Sequence, residues 1–371
     1  MSASLEQVST SENDAIVAAR LIGELFALNE RHALLPRASF HSTAVDALND
    51  QQLLGFFNRW RARDSHQWTV LNHPYLLSSA VKQRLLKIES ALSMQSSVSQ
   101  SIAQSIFQRG ELKIDALRCE VTVRRSHLLE DALTQLRLAA VEDRLKRPLY
   151  VRFEGEPGID EGGLRKEFFQ LTLRELFNEV YGMFKLLPTT NCFWPRSDSF
   201  ESTQMFELTG ILIGLGLYNN VLVRSLHYHF HSFFTDDRVQ LECHFPLAFW
   251  KKLLRKPVDL LDLESVAPDV ARNLSTLLTY EGDVESDFDL TFTVAEQRLG
   301  QTVQHALLAN GADVAVTARN RDRFVELYAD WLLNGSIAEP FEALRSGFER
   351  VAGCVSNLFC WRMFSLNVNY C

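Results

Sequence analysis

One run of almost entirely apolar residues, MFELTGILIGLGLY at positions 205–218, most limits the folds that this chain can adopt. A helix that crosses a membrane needs about 20 apolar residues, so this run is too short to span a bilayer. We predict instead a helix that is buried inside a protein core. Such a helix needs other elements packed around it, and a chain of 371 residues with 46% hydrophobic content can supply them.

Charge and cysteine content exclude several classes of protein. The net charge is −8, whereas a nucleic-acid-binding protein needs clustered lysine and arginine; an acidic chain suits a basic protein partner. None of the six cysteines forms a C-x-x-C pair, so reduced thiols are expected. Residues 1–20 contain early acidic residues and no apolar run, unlike a signal peptide. We therefore expect a soluble protein of the cytoplasm, with the nucleus as a second compartment. We expect it to bind no nucleic acid, membrane, cofactor or metal.

Helical spacing dominates the pattern of apolar residues. Residues from about 13 to 110 are predicted to be largely helical. Within them, residues 90–105 are rich in Ser and Gln but keep an apolar stripe, so a polar-faced helix and a linker both remain open. Further helices are predicted at SHLLEDALTQLRLAA, with Ser126 as its N-cap, at KEFFQLTLRELF and at RFVELYADWLL.

Shorter segments have the pattern of strands. LYVRF at 149–153 predicts a strand before a Gly-rich turn, and apolar residues that alternate from Phe288 to Val294 predict a strand with one buried face. A turn at Asn310 and Gly311 leads into Val314 and Val316, which favours a hairpin. The predicted fold class is therefore α+β, predominantly helical.

The Gly-rich turn, EGEPGIDEGG at 154–163, suggests two kinds of binding site that its residues do not support. It lacks the G-x-x-x-x-G-K-[ST] pattern, and its acidic side chains would repel a phosphate. It also lacks the spacing of a calcium loop. A structural turn is the better interpretation, because Gly162 and Gly163 allow positive φ and Asp160 and Glu161 suit the N-terminus of the next helix.

The stretch YVRFEGEPGIDEGGLRKEFFQL, at 150–171, is similar to the signature of the N-terminal lobe of HECT-type ubiquitin-protein ligases. Further matching segments follow in the order found in that family, and together they cover about residues 117–359. Residues 25–115 resemble, more weakly, the helical region of the Angelman-type ligase. The matching segments are RRSHLLEDAL (124–133), GMF (182–184), FELTGILIGLGLYNN (206–220), HFPLAFWKKLL (244–254), LLTYEGDVESDFDLTF (277–292) and FVELYADWLLNGSIAEPFEALRSGF (324–348).

The resemblance implies a domain organisation. Residues 1–115 would form a helical N-terminal region, and residues 116–359 a HECT N-lobe, made of a large helical subdomain and a small subdomain that binds a conjugating enzyme. Residues 360–371 would form a divergent tail. In the family a C-lobe with the catalytic cysteine follows, and we expect that lobe to be missing here, as in a truncated isoform.

The resemblance also implies a function. A HECT-type E3 ubiquitin-protein transferase accepts ubiquitin from a charged conjugating enzyme on a cysteine thiolate and passes it to substrate lysines. Because that cysteine belongs to the C-lobe, we expect this chain to contain no catalytic residue and to be inactive alone. The N-lobe docks the conjugating enzyme in an apolar groove. The positions that match this groove are Val270, Leu274, Leu277, Leu278 and Tyr280 in its helix-and-turn wall, Phe288 and Leu290 in its strand, and Phe324 and Tyr328 in its last helix.

The residues alone support this groove weakly, and a second function stays open. Phe324 and Tyr328 lie one helical turn apart, a spacing that core packing produces as well. The chain is thus either a HECT-type ligase in an incomplete form or a non-catalytic interaction module that binds a conjugating enzyme or a substrate. The substrate is unknown, because substrate choice in this family usually lies upstream.

One internal segment, residues 223–240, interrupts the resemblance. The family passes almost directly from the YNN motif to HFP, whereas here VRSLHYHFHSFFTDDRVQ intervenes. It is either an alternatively spliced piece or wrongly retained non-coding sequence. His227, His229 and His231 would share one strand face, a spacing that zinc could use, but loop histidines without metal are the expectation.

Overall fold

The computed structural model describes residues 2–32, 34–62, 68–109, 117–157, 162–221, 244–298 and 301–352. Its helices are α1 (Ser2–His32), α2 (Thr43–Asp46), α3 (Asp50–Arg61), α4 (Ser79–Arg109), α5 (Leu128–Val141), α6 (Gly163–Leu176), α7 (Thr203–Tyr218), α8 (Leu247–Leu253), α9 (Leu260–Leu263), α10 (Pro268–Thr279), α11 (Val284–Phe288), α12 (Arg321–Leu333) and α13 (Ala338–Ala352). Its strands are β1 (Cys119–Val123), β2 (Leu149–Phe153), β3 (Phe184–Leu187), β4 (Cys192–Pro195), β5 (Thr293–Arg298) and β6 (Gln301–Ala306). This confirms the predicted α+β, predominantly helical class.

The strands form three small ladders. β1 and β2 pair in parallel, with Cys119 opposite Leu149, whereas β3–β4 and β5–β6 are antiparallel pairs. The Ser/Gln-rich residues 90–105 are helical, because α4 runs through them without a break. α5 begins at Leu128 after a 3-10 turn at Arg125–His127, so its N-cap is His127 and the prediction of Ser126 was wrong.

The described residues divide into two compact units, within residues 2–96 and 97–352. This division falls inside α4, and the predicted boundary at residue 115 stays a prediction. In the first unit, Leu53 and Phe57 on one face of α3 are fully buried. The helix begins with a capping box, in which Asn49 and Gln52 each accept a hydrogen bond from the other's backbone amide at 2.9 Å.

The Gly-rich turn that identified the resemblance is held by one arginine. Arg125 lies before α5, and its guanidinium donates to Glu156 in the turn at 3.0 Å and to Glu167 on α6 at 2.7 Å. The same group lies 4.3 Å from the centroid of the Phe153 ring at the end of β2. Gly162 caps α6 with φ of 104°, as the turn interpretation predicts. Asp160 and Glu161 lie outside the described residues.

The core of the second unit is built around α7. Every residue from Leu208 to Tyr218 is buried, which is the outcome predicted for an almost entirely apolar helix. No helix within the described ranges is both long and apolar enough to cross a membrane. α7 packs along α13, whose buried face includes Phe341, Leu344 and Phe348.

Small residues let the backbones of α7 and α13 touch. A Cβ added at Gly210 would lie 1.8 Å from the backbone oxygen of Leu344, and one added at Gly347 would lie 2.0 Å from that of Glu207. Both distances are far below van der Waals contact. Any side chain at either position would therefore force the two helices apart.

We predict that Gly210→Ala destabilises the chain although alanine is the better helix former. The forced separation should lower the free energy of unfolding by roughly 3 kcal/mol. Gly55→Ala is the matched control, because Gly55 lies inside α3 and a Cβ added there would meet nothing within 4 Å outside the backbone of its own helix. That variant should gain about 0.5–1 kcal/mol from helix propensity. Chemical denaturation of both variants measures the contrast, and equal stability of the two would contradict this view of the packing.

Candidate functional site

The residues predicted to contact a partner lie on three helices and the chain between them. α10 is amphipathic and starts with Pro268 at its first turn, a position that suits a residue with fixed φ. Its buried face includes Leu274 and Leu277, and it packs against α12 and α9. Val270 and Leu278 are partly exposed on the same helix.

One arginine joins the end of α10 to the start of α12. Arg321 donates from Nη1 to the backbone oxygens of Leu277, at 3.2 Å, and Tyr280, at 2.5 Å. Carbonyl groups at a helix C-terminus lack partners within the helix, so a guanidinium there satisfies them. This contact places Tyr280 close to the first turn of α12.

Tyr280 and Phe288 form an aromatic pair on the surface. Their ring centroids are 4.9 Å apart at an angle of 84°. The Tyr280 hydroxyl donates to Asp287 at 2.7 Å, and this hydrogen bond raises the pKa of the tyrosine. The Tyr280 ring lies over Gly282, where an added Cβ would come within 2.6 Å of it. Phe288 is 37% exposed, so the pair presents apolar area to solvent.

Phe288 was predicted on a strand, and that prediction was wrong. Asp283 accepts hydrogen bonds from the amides of Glu285 and Ser286 and so caps α11, which ends at Phe288. Asp289 then adopts a left-handed conformation with φ of 47°. Leu290 lies outside the helices and strands, and its carbonyl accepts from the amide of Val316 at 2.8 Å, next to an antiparallel bridge between Thr291 and Ala315.

Phe324 lies in the core below this surface. It is 2% exposed, and its ring lies 5.5 Å from the rings of both Phe292 and Tyr328. Of the nine predicted residues, Leu274, Leu277 and Phe324 are buried and form the floor. The other six are at least partly exposed, and we call them the docking surface: Val270, Leu278, Tyr280, Phe288, Leu290 and Tyr328.

The sequence contains one Cys-Phe pair, Cys192–Phe193, which follows Thr189 and Thr190. Cys192 lies on β4 opposite Leu187 and is 7% exposed. A thiol that accepts ubiquitin must reach another protein, so its burial favours a structural role. Cys119 is also buried, and burial raises the pKa of its thiol to about 11.

The described residues contain no group of three or more His, Cys, Asp or Glu side chains placed to hold a metal ion. His227, His229 and His231, for which zinc was considered, lie outside those residues, as do the rest of segment 223–240 and the tail 360–371. The described residues thus offer an apolar surface with a buried aromatic floor, which suits protein binding more than small-molecule chemistry.

Comparisons with known proteins identify the family to which the chain is similar. The family model described as HECT-domain (ubiquitin-transferase) matches residues 170–366. The probable E3 ubiquitin-protein ligase HERC4 of Homo sapiens is 36% identical over 288 residues, which is 77% of this chain and 25% of HERC4. The probable E3 ubiquitin-protein ligase HECTD2 of Mus musculus is 33% identical over 339 residues, 87% of this chain and 41% of HECTD2.

A third relative extends the likeness further along the chain. The probable E3 ubiquitin-protein ligase HERC3 of Homo sapiens is 33% identical over 354 residues, which is 92% of this chain and 32% of HERC3. The chain spans less than half the length of each of these relatives. Since the family model covers more than half of the chain, including α7, the docking surface and α13, the chain belongs to the HECT-domain family.

Proposed function

We propose that this chain docks a ubiquitin-charged conjugating enzyme, as the N-lobe part of a HECT-type E3 ubiquitin-protein transferase. The observation that carries the proposal is the docking surface, in which partly exposed apolar and aromatic side chains lie over a buried floor. Membership of the HECT-domain family supports the kind of partner. The relatives are named as probable E3 ubiquitin-protein ligases, which supports ubiquitin transfer as the reaction of the whole protein.

The chemistry of the surface suits a protein partner with an apolar contact centre and a basic rim. Aromatic side chains that keep one face in solvent are frequent hot spots of protein binding. Exposed carboxylates surround the Tyr280–Phe288 pair, among them Glu281, Asp283 and Glu285. Complementary charge on the partner would raise the rate of encounter. Docking then contributes to transfer by holding the donor thioester in place.

We further propose that residues 1–371 do not include the cysteine that accepts ubiquitin. The burial of Cys119 and Cys192 supports this. The other cysteines are Cys243, Cys354, Cys360 and Cys371, and they lie outside the described residues. We also propose a closer relation to the Angelman-type ligase, supported by the helical residues upstream of the lobe. A cytoplasmic location is a separate proposal.

Phe288→Ala should weaken binding of a charged conjugating enzyme by about tenfold or more, which corresponds to ~1.4 kcal/mol. The ring is more than one-third exposed, so its removal should lower the free energy of unfolding by less than about 1 kcal/mol. Leu138→Ala on α5 is the control, because Leu138 is 53% exposed and lies outside the docking surface. Titration calorimetry and thermal unfolding measure the two effects.

Phe324→Ala should lower the stability of the chain far more than Phe288→Ala does. The Phe324 ring is buried, so truncation should cost about 3 kcal/mol of stability.

The binding measurement can contradict the proposal. If Phe288→Ala binds the enzyme as tightly as Leu138→Ala and the unaltered chain do, the docking surface lies elsewhere and the proposal is wrong.

A second expectation concerns covalent transfer. We expect the 371-residue chain, incubated with activating enzyme, conjugating enzyme and ubiquitin, to form no reductant-sensitive ubiquitin adduct on a non-reducing gel. A buried thiol with a raised pKa supplies almost no thiolate at neutral pH. An adduct that disappears in Cys360→Ala or Cys371→Ala would refute this expectation while leaving docking untouched.

A further inference from the structure

A line of side-chain contacts links α12, which carries Tyr328, to the end of the β3–β4 hairpin. Ser197 follows β4, and its hydroxyl donates to Oε1 of Glu296 on β5, 99 residues further along the chain. Arg298, on the same strand, donates from Nη2 to the backbone oxygen of Ser197 at 3.0 Å. Two hairpins, β3–β4 and β5–β6, are therefore joined at Ser197.

The same carboxylate reaches across its own hairpin. Oε2 of Glu296 lies 3.1 Å from Nε2 of His305 on β6. The His305 ring lies against Trp331, with centroids 5.0 Å apart and planes at 36°. Trp331 is on α12, three residues after Tyr328 and seven after Phe324, so these residues share one side of the helix. The contacts thus run from Ser197 to the helix that carries Tyr328.

Burial makes this carboxylate a fixed junction. The Glu296 side chain is 13% exposed. Its Oε1 accepts from Ser197, which follows β4, and its Oε2 contacts His305 on β6. A carboxylate with few solvent contacts and two directed hydrogen bonds holds its geometry more tightly than an exposed ion pair does. Thr190, in the turn between β3 and β4, donates to the backbone oxygen of Ser265, which follows α9, at a longer distance of 3.4 Å.

We propose that Glu296 is a positioning residue, which fixes the orientation of the docking surface relative to the β3–β4 hairpin through Ser197 and His305. This inference rests on the proposed docking function. Glu296 touches no reacting group. It sets the direction in which a docked conjugating enzyme presents its thioester, so its effect is on geometry and leaves the affinity of the docking surface unchanged.

The test measures a distance within the free chain. Spin labels attached through bio-orthogonal side chains at Val141 on α5 and Asn273 on α10, both exposed, report the distance between the lobe and the docking surface. We expect one narrow distance population in the unaltered chain. Ser197→Ala and Glu296→Ala should each broaden that distance population, because the hydrogen bond between Ser197 and Glu296 is lost and, among the described residues, only the contact of the exposed Arg298 with the Ser197 backbone is left between them. Tyr280, Phe288 and Tyr328 are unchanged in both variants.

Two variants separate positioning from simple loss of a charge. Glu296→Gln keeps a carbonyl oxygen for Ser197 and a polar group for His305, so it should restore the narrow population. Glu326→Ala removes an exposed carboxylate that pairs with Arg323 on the same helix at 2.6 Å, and it should leave the distance unchanged. Affinity for a charged conjugating enzyme should match that of the unaltered chain in all four variants.

The outcomes decide between the two proposals. A narrow, unshifted distance in both Ser197→Ala and Glu296→Ala would overturn the positioning role. If Glu296→Ala unfolds, Ser197→Ala decides, because it removes a single oxygen atom. Equal loss of affinity in Ser197→Ala and Glu296→Ala would show that the junction belongs to the binding surface and would also overturn the proposal. If the unaltered chain binds no conjugating enzyme, the proposed function fails, while the distance measurement still tests the junction.

Discussion

The close contact between α7 and α13 is the constraint on which the rest of the lobe depends. Gly210 and Gly347 let the two backbones meet without side chains between them, and the apolar residues of both helices then enclose the contact. α13 follows α12 through a short turn at Gly335–Ile337, and Ile337 is buried. The Trp331 ring lies against Gly335. The helix that bears Tyr328 is therefore fixed to the core of the lobe through its C-terminal end, and Arg321 ties its N-terminal end to α10.

That arrangement gives the docking surface a rigid floor. Phe324 and Phe292 are buried against each other below it, whereas the Tyr280–Phe288 pair stands at the surface, held by Asp287 and by the contact of Arg321 with α10. A partner that covers this pair gains apolar burial without first ordering the side chains beneath it. This property of the surface is the basis of the docking function proposed for this chain.

Sequence patterns predicted the parts of this fold whose signal is local and strong. The apolar side chains of α7 can leave water only in a core, and LYVRF alternates in burial as a strand does. Gly162 begins α6 in a left-handed conformation, which glycine adopts readily. The burial of Phe324 was not predictable, because a Phe–Tyr pair one turn apart gives the same pattern whether it faces a partner or the core. Phe288 alternates with apolar neighbours like a strand residue, but the cap at Asp283 starts a helix that the alternation hides.

The hairpin β5–β6 escaped prediction for another reason. Its residues, TVAEQR and QTVQHA, are mostly polar, so alternation gives no clear buried face. Binding of a conjugating enzyme to the docking surface is tested most directly by hydrogen–deuterium exchange of the unaltered chain with and without a ubiquitin-charged enzyme. We predict slower exchange on binding within residues 270–290 and 321–331. Protection confined to other parts of the chain, such as α5 and the β3–β4 hairpin, would contradict it.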